Sequence, residues 1–172
     1  MFKFFKCFIL AEVALVLVGC GAKIEVLPTI ADVNKDQHII YAKFDSNKTY
    51  MKKYLPSNIV ITNDSPISVE YSFTNNVTVS NMGGDAINII LPIGLFGIPT
   101  NNKTLQMEAR LRFFDKDKEL VLNSICSINK PKNIYSRTNL TKLRKLCIPE
   151  ITQNLQNQIN LKFNKGEFNA FK

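Results

Sequence analysis

The sequence predicts an α+β fold: a mainly antiparallel β-sheet with a C-terminal amphipathic helix packed on one face. Two stretches of period-two alternation predict the sheet. In the first, Ile67, Val69, Tyr71 and Phe73, then Val77 and Val79, alternate with polar residues. In the second, Leu105, Met107, Ala109, Leu111 and Phe113 alternate with Gln106, Glu108, Arg110 and Arg112. Successive side chains on a strand point to opposite faces, so this pattern describes a sheet with one buried face. A change of period predicts the helix. After Pro131, Leu143, Cys147, Ile151, Leu155 and Ile159 recur every four residues, with Leu140 and Ile148 beside them, the stripe of a helix lying on a sheet. With 172 residues, 45% of them apolar, the chain can bury the core of one domain.

The elements follow in order. Lys23–Ile30 (KIEVLPTI) holds a possible first short strand, and HIIYAKF at 38–44 reads as a second. Residues 45–57 are polar and end in Leu55-Pro56-Ser57. They read as a loop or one short helical turn, because the residue before a proline avoids the helical region. NIVITN at 58–63 is strand-like and is closed by the turn cluster Asp64-Ser65-Pro66. The alternating strand over 67–79 comes next, with a bend expected at Asn75-Asn76. Residues 86–93 are a further apolar strand candidate. Residues 103–128 read as an antiparallel hairpin turning at Asp115-Lys116-Asp117-Lys118. Within the helix stripe, Pro149 leaves two readings. Either one helix bends there, or one ends near Cys147 and another starts with proline in its first turn. The last residues carry Phe163, Phe168 and Phe171 as a closing strand or packed tail.

The front of the chain is organised differently. MFKFFK carries two lysines and no acid, and residues 7–19 are apolar except Glu12. This is the layout of a secretory leader, and its apolar run is well short of the roughly 20 residues a spanning helix needs. The run ends in Leu17-Val18-Gly19-Cys20, which resembles the lipobox of bacterial lipoproteins. That resemblance implies removal of residues 1–19, a mature chain starting at Cys20, and acylation of its thiol and amino group. Two or three acyl chains hold a protein stably at a membrane where one does not. Cys7 lies too early to be the lipid site. Gly21 stands where an Asp would favour inner-membrane retention, so the resemblance implies an outer-membrane anchor facing the periplasm. Residues 20–37 are then the lipidated N-terminus and tether, with the possible first strand, and 38–172 a single periplasmic α+β domain. The implied function is that of a non-catalytic accessory or binding module. Its partners would be membrane lipid through Cys20 and an envelope protein or cell-wall polymer; nucleic acid is not expected.

Cys126 and Cys147 remain after Cys7 and Cys20 are set aside. Outside the cytoplasm such a pair predicts one disulfide, the alternative being two buried thiols. The sequence holds no Gly-x-Ser-x-Gly or His-Glu-x-x-His pattern, and its one histidine, His38, lies in a strand-like run. No catalytic residue, cofactor or metal is expected. Asn-x-Ser/Thr triplets at Asn47, Asn63, Asn76, Asn102 and Asn139 carry no weight behind a bacterial lipobox.

Two stretches are candidates for binding. IILPIGLFGIP at 89–99 is free of charge. Leu95, Phe96 and Ile98 would form an apolar contact patch if exposed; the alternative is a loop tucked against the core. The second stretch is basic. The whole chain carries a net +8, and losing Lys3, Lys6 and Glu12 with the leader leaves +7. Lys130, Lys132, Arg137, Lys142, Arg144 and Lys145 occur with no acid before Glu150. Residues 130–145 therefore read either as a solvated face or as a surface for anionic lipid or cell-wall polymer.

Overall fold

A computed structural model of the chain describes residues 22–30, 38–81, 101–132 and 139–171. The expected class is the one found: a mostly antiparallel six-stranded sheet with a single C-terminal helix packed against it. The strands are β1 (Lys23–Leu27), β2 (Ile40–Phe44), β3 (Ile59–Ile61), β4 (Ser68–Asn81), β5 (Asn101–Asp115) and β6 (Lys118–Lys132), and the helix α1 is Leu140–Asn164. Across the sheet the order is β1-β6-β5-β4-β2-β3. The candidate strand over 86–93 and the apolar stretch with Leu95, Phe96 and Ile98 fall outside the described residues, as do Cys20 and the leader.

Chain contacts divide the molecule into two units. The first comprises Met1–Lys23, Thr78–Thr104 and Ile128–Thr138; its described parts are the ends of β4, β5 and β6 with Lys23. The second comprises Ile24–Val77, Leu105–Ser127 and Asn139–Lys172. It holds α1 and most of the sheet.

The β5–β6 hairpin is longer than its expected span at both ends. A two-residue loop joins the strands, a connection that only antiparallel neighbours can use. Lys116 takes a positive φ of 48° in that loop, a conformation with some strain for a side chain other than glycine. The alternation is realised: Leu105, Met107, Ala109, Leu111 and Phe113 are buried on one face, and β6 adds Leu122, Ser124, Cys126 and Ile128. In β4, Val69 and Tyr71 are buried as expected, but Val79 is 59% exposed. The expected bend at Asn75-Asn76 does not interrupt the strand, which runs on to Asn81.

The sheet departs from antiparallel pairing on one side. β2 lies between β3 and β4 and runs parallel to both, with Ile40 opposite Ile59 and Phe44 opposite Val69. Parallel neighbours need a crossover rather than a tight turn, and residues 45–58 supply it. The short helical turn expected there is a 3-10 turn, Thr49–Tyr54, which buries Met51. Leu55, preceding Pro56, leaves it in an extended conformation at φ −62° and ψ 145°.

α1 resolves the two readings at Pro149 in favour of one helix, with the proline inside it. An interior proline removes one backbone hydrogen bond and costs about 3 kcal/mol. Burying one large apolar side chain gains about 1.5–3 kcal/mol, and Leu143, Ile151, Leu155 and Ile159 all lie at 4% exposure or less. The stripe on both sides of the proline therefore outweighs the break. Asn139 starts the helix, its side chain accepting from the backbone N–H of Thr141 at 3.0 Å and Lys142 at 3.2 Å. Gly166 stops it at φ +75°, a left-handed position that suits glycine. Of the two readings of the tail, the packed one is found: Glu167–Phe171 forms a second 3-10 turn that buries Phe168 and Phe171. No helix among the described residues is long and apolar enough to cross a membrane.

Candidate functional site

The predicted cysteine pair meets. Cys126 on β6 and Cys147 on α1 have sulfurs at bonding distance and Cα atoms 5.7 Å apart. This disulfide ties the first half of α1 to β6, the strand next to the sheet's β1 edge, and both cysteines are fully buried.

The second half of α1 owes its hold to amides. The side chain of Asn154 donates to the Pro28 carbonyl at 2.8 Å and that of Gln158 to the Asn123 carbonyl at 2.7 Å. On the opposite flank the Thr152 hydroxyl lies 3.4 Å from the Tyr54 carbonyl, and the Ser57 hydroxyl donates to Gln156 at 3.2 Å. Asn160 Oδ1 accepts from the buried Asn58 amide at 3.4 Å and from the His38 backbone N–H at 3.3 Å. His38 also pairs with Asn164 Oδ1 through Nε2 at 2.9 Å and stacks on Phe163, ring centroids 4.4 Å apart. His38 lies two residues before β2 rather than within it, and fastens that approach to the end of α1.

Beside these contacts the aromatic tail leaves a small apolar hollow. Ile39, Tyr41, Ile67, Phe163, Phe168 and Phe171 line a volume of about 240 Å³. Ile39 and Tyr41 are more than half exposed there. A polar hollow of about 380 Å³ lies among Asp45, Ser46, Asn47, Lys48, Glu70 and Phe114. Arg112 bridges Glu119 at 2.8 Å and Glu70 at 2.9 Å. The hydrogen bond and charge of Glu119, with Glu70 adding, raise the Arg112 guanidinium above its ordinary value. One phenol is unusual: Tyr71 is 1% exposed and forms no hydrogen bond of good geometry. Burial pushes it well above the ordinary 10.0. The neighbouring Thr152 hydroxyl, committed at 2.9 Å to the Ile148 carbonyl, offsets this only in part. Among the described residues no group of three or more His, Cys, Asp and Glu converges as a metal site would require.

Of the basic stretch, Lys142, Arg144 and Lys145 are exposed in the first half of α1, and Lys130 is half-buried on β6. No ion pair engages the three helix cations among the described residues. Tyr54, Ser57 and Asn58 meet Thr152, Gln156 and Asn160 in that order, so this crossover runs in the same direction as the helix. On α1, Arg144, Ile148 and Thr152 are spaced by four and share that flank. β2 starts beside the end of α1 at His38, and Lys52 sits over the ring of Phe44 at its far end, 5.4 Å from the centroid. The sequence has no acid from 46 to 63 or from 120 to 149. The sequence matches no protein-family model and no curated protein.

Proposed function

We propose that this chain is a bacterial envelope lipoprotein, acylated at Cys20 and held on the periplasmic face of the outer membrane, whose α+β body is a non-catalytic accessory or binding module. The observation that carries this reading is Leu17-Val18-Gly19-Cys20 at the end of a short apolar run preceded by two lysines. The bonded Cys126 and Cys147 support it, because disulfides persist in oxidising compartments and are rare in the cytoplasm. Mass spectrometry of the protein purified from its native envelope tests it. The expected N-terminal peptide begins at Cys20 and carries the mass of a diacylglyceryl group with or without an amide-linked acyl chain. A native protein starting at Met1, or a free Cys20 in the aqueous fraction, overturns it.

A second reading makes the module a binder of anionic envelope material through the basic stretch. The exposure of Lys142, Arg144 and Lys145 without ion pairs favours it. Salt-sensitive binding to anionic vesicles or cell-wall sacculi supports this reading. Capture of a single envelope protein by crosslinking, unaffected by salt, supports a protein partner instead.

A further inference from the structure

We infer that the first unit's end of the sheet, where Lys103 on β5 stands opposite Lys130 on β6, is a docking surface for the anionic headgroups of the membrane that holds the anchor. The inference rests on the lipid-anchored reading above and adds the surface that meets the bilayer.

Three observations carry it. The first is reach. β1 lies hydrogen-bonded beside β6, and its first residue, Lys23, clusters with the end of β6 from Ile128 onward, the end of β4 and the start of β5. Cys20 precedes Lys23 by three residues. An extended chain spans at most about 3.6 Å per residue, so an anchor at Cys20 stands no more than about 11 Å from Lys23. Lipid headgroups are therefore the anions within reach of this end.

The second is a charge conflict inside the sheet. β5 and β6 have fifteen residues each about their two-residue loop, so counting from the turn sets Lys103 opposite Lys130. The burial phase agrees: the same count sets Leu105 opposite Ile128, Met107 opposite Cys126 and Leu111 opposite Leu122, and all six are buried. Side chains directly opposite stand about 5 Å apart, and like charges there destabilise a sheet. The described residues of the first unit carry Lys23, Lys103, Lys130 and Lys132 and no acid. No ion pair engages Lys103 or Lys130 among the described residues. An anionic surface removes the conflict that the isolated fold retains.

The third is an apolar neighbour. Val79, at the end of β4 in the same unit, is 59% exposed. An aliphatic group beside lysine stems suits the headgroup boundary of a bilayer, where the alkyl part reaches the apolar edge and the ammonium stays with phosphate. A cell-wall polymer offers anions without that edge.

The test uses the full native chain, reconstituted in vesicles of neutral phosphatidylcholine or with added anionic phosphatidylglycerol, followed by amine labelling and mass spectrometry. Lys103 and Lys130 are expected to label several-fold more slowly on the anionic vesicles. Lys116, exposed at the hairpin turn, serves as the internal reference and keeps its rate. The contrast fades as salt screens the surface. In Lys103→Gln/Lys130→Gln each neutralised cation should weaken the preference for anionic over neutral vesicles by about fivefold. Its melting temperature in detergent should be unchanged or raised, because the repulsion is gone; a lower one with an unaltered lipid preference means a structural pair and overturns the inference. Equal labelling of Lys103 and Lys130 on both vesicle types also overturns it, as does protection of Lys142 and Lys145 in their place, or protection by isolated sacculi but not by anionic vesicles. Flotation with neutral vesicles reads the anchor separately: a chain that fails to float there defeats the anchored reading, whereas one that floats and labels equally defeats the docking surface alone.

Discussion

The two halves of α1 bury the same kind of stripe and treat their polar residues in opposite ways. From Thr152 onward, Thr152, Asn154, Gln156, Gln158, Asn160 and Asn164 all have side-chain hydrogen-bond partners, most of them in other elements. Before Pro149, the charged residues Lys142, Arg144 and Lys145 are exposed, and a disulfide does the fastening. The second half is consumed by the fold. The first half is fastened from beneath, which leaves its outer surface free for another task. Pro149 stands at the boundary: it leaves the Lys145 carbonyl without the N–H that would follow four residues on.

The largest effect that separates the halves should come from the disulfide. Cys126→Ser/Cys147→Ser is expected to lower stability by about 3 kcal/mol, read as a shift of the urea midpoint, because the bond closes a loop with a sequence separation of 21. A loss within 0.5 kcal/mol would mean that packing alone holds the first half down. In the second half, Asn160→Ala should cost about 1–3 kcal/mol, since it leaves the fully buried Asn58 amide without its acceptor. Asn160→Asp, which keeps an acceptor oxygen in place, should recover part of the loss in the same denaturation assay.

Tyr71 extends the comparison to pH, since the buried phenol lies close to Thr152 at the start of the amide half. Its folded-state pKa is raised, so the unfolded chain ionises first and binds fewer protons. Stability is full below pH 10 and falls above it, at about 1.4 kcal/mol per pH unit while the folded phenol stays protonated. Tyr71→Phe should flatten that part of the alkaline stability curve measured against wild type. An unchanged slope would place the alkaline loss elsewhere. The smallest effect belongs to the first half: Lys142→Glu, near the helix N-terminus, should stabilise by about 0.3–1 kcal/mol in thermal melts. A loss of stability there would mean that Lys142 has a partner in the fold, contrary to the contrast drawn between the halves.

The parts of the fold legible in sequence were those that depend on local period. The alternation of β5 and the four-residue stripe of α1 each follow from one element having one buried side, so their core residues could be read directly. Val79 escaped because alternation describes which face a side chain takes, and whether that face is covered there depends on residues distant in sequence. Asn139 occurs in a modification triplet by pattern and proved to be the helix cap, since a cap is defined by the two N–H groups that follow it. Gly166 was equally available as a stop signal after the stripe. The parallel pairing of β2 with β3 and β4 was not legible, because sheet order is decided by long-range pairing that leaves no mark on a single strand.

The sequence by itself determined the class of the fold and the buried stripe, which depend on residue type and spacing within one segment, and singled out the cysteine pair by count. Only the tertiary structure decided that the amides of the second half of α1 are spent on the segments around it, Thr152, Gln156 and Asn160 meeting Tyr54, Ser57 and Asn58. The reason is physical: hydrogen bonds act over a few ångströms in space, and residues about a hundred positions apart come within that range only when a crossover runs beside a helix.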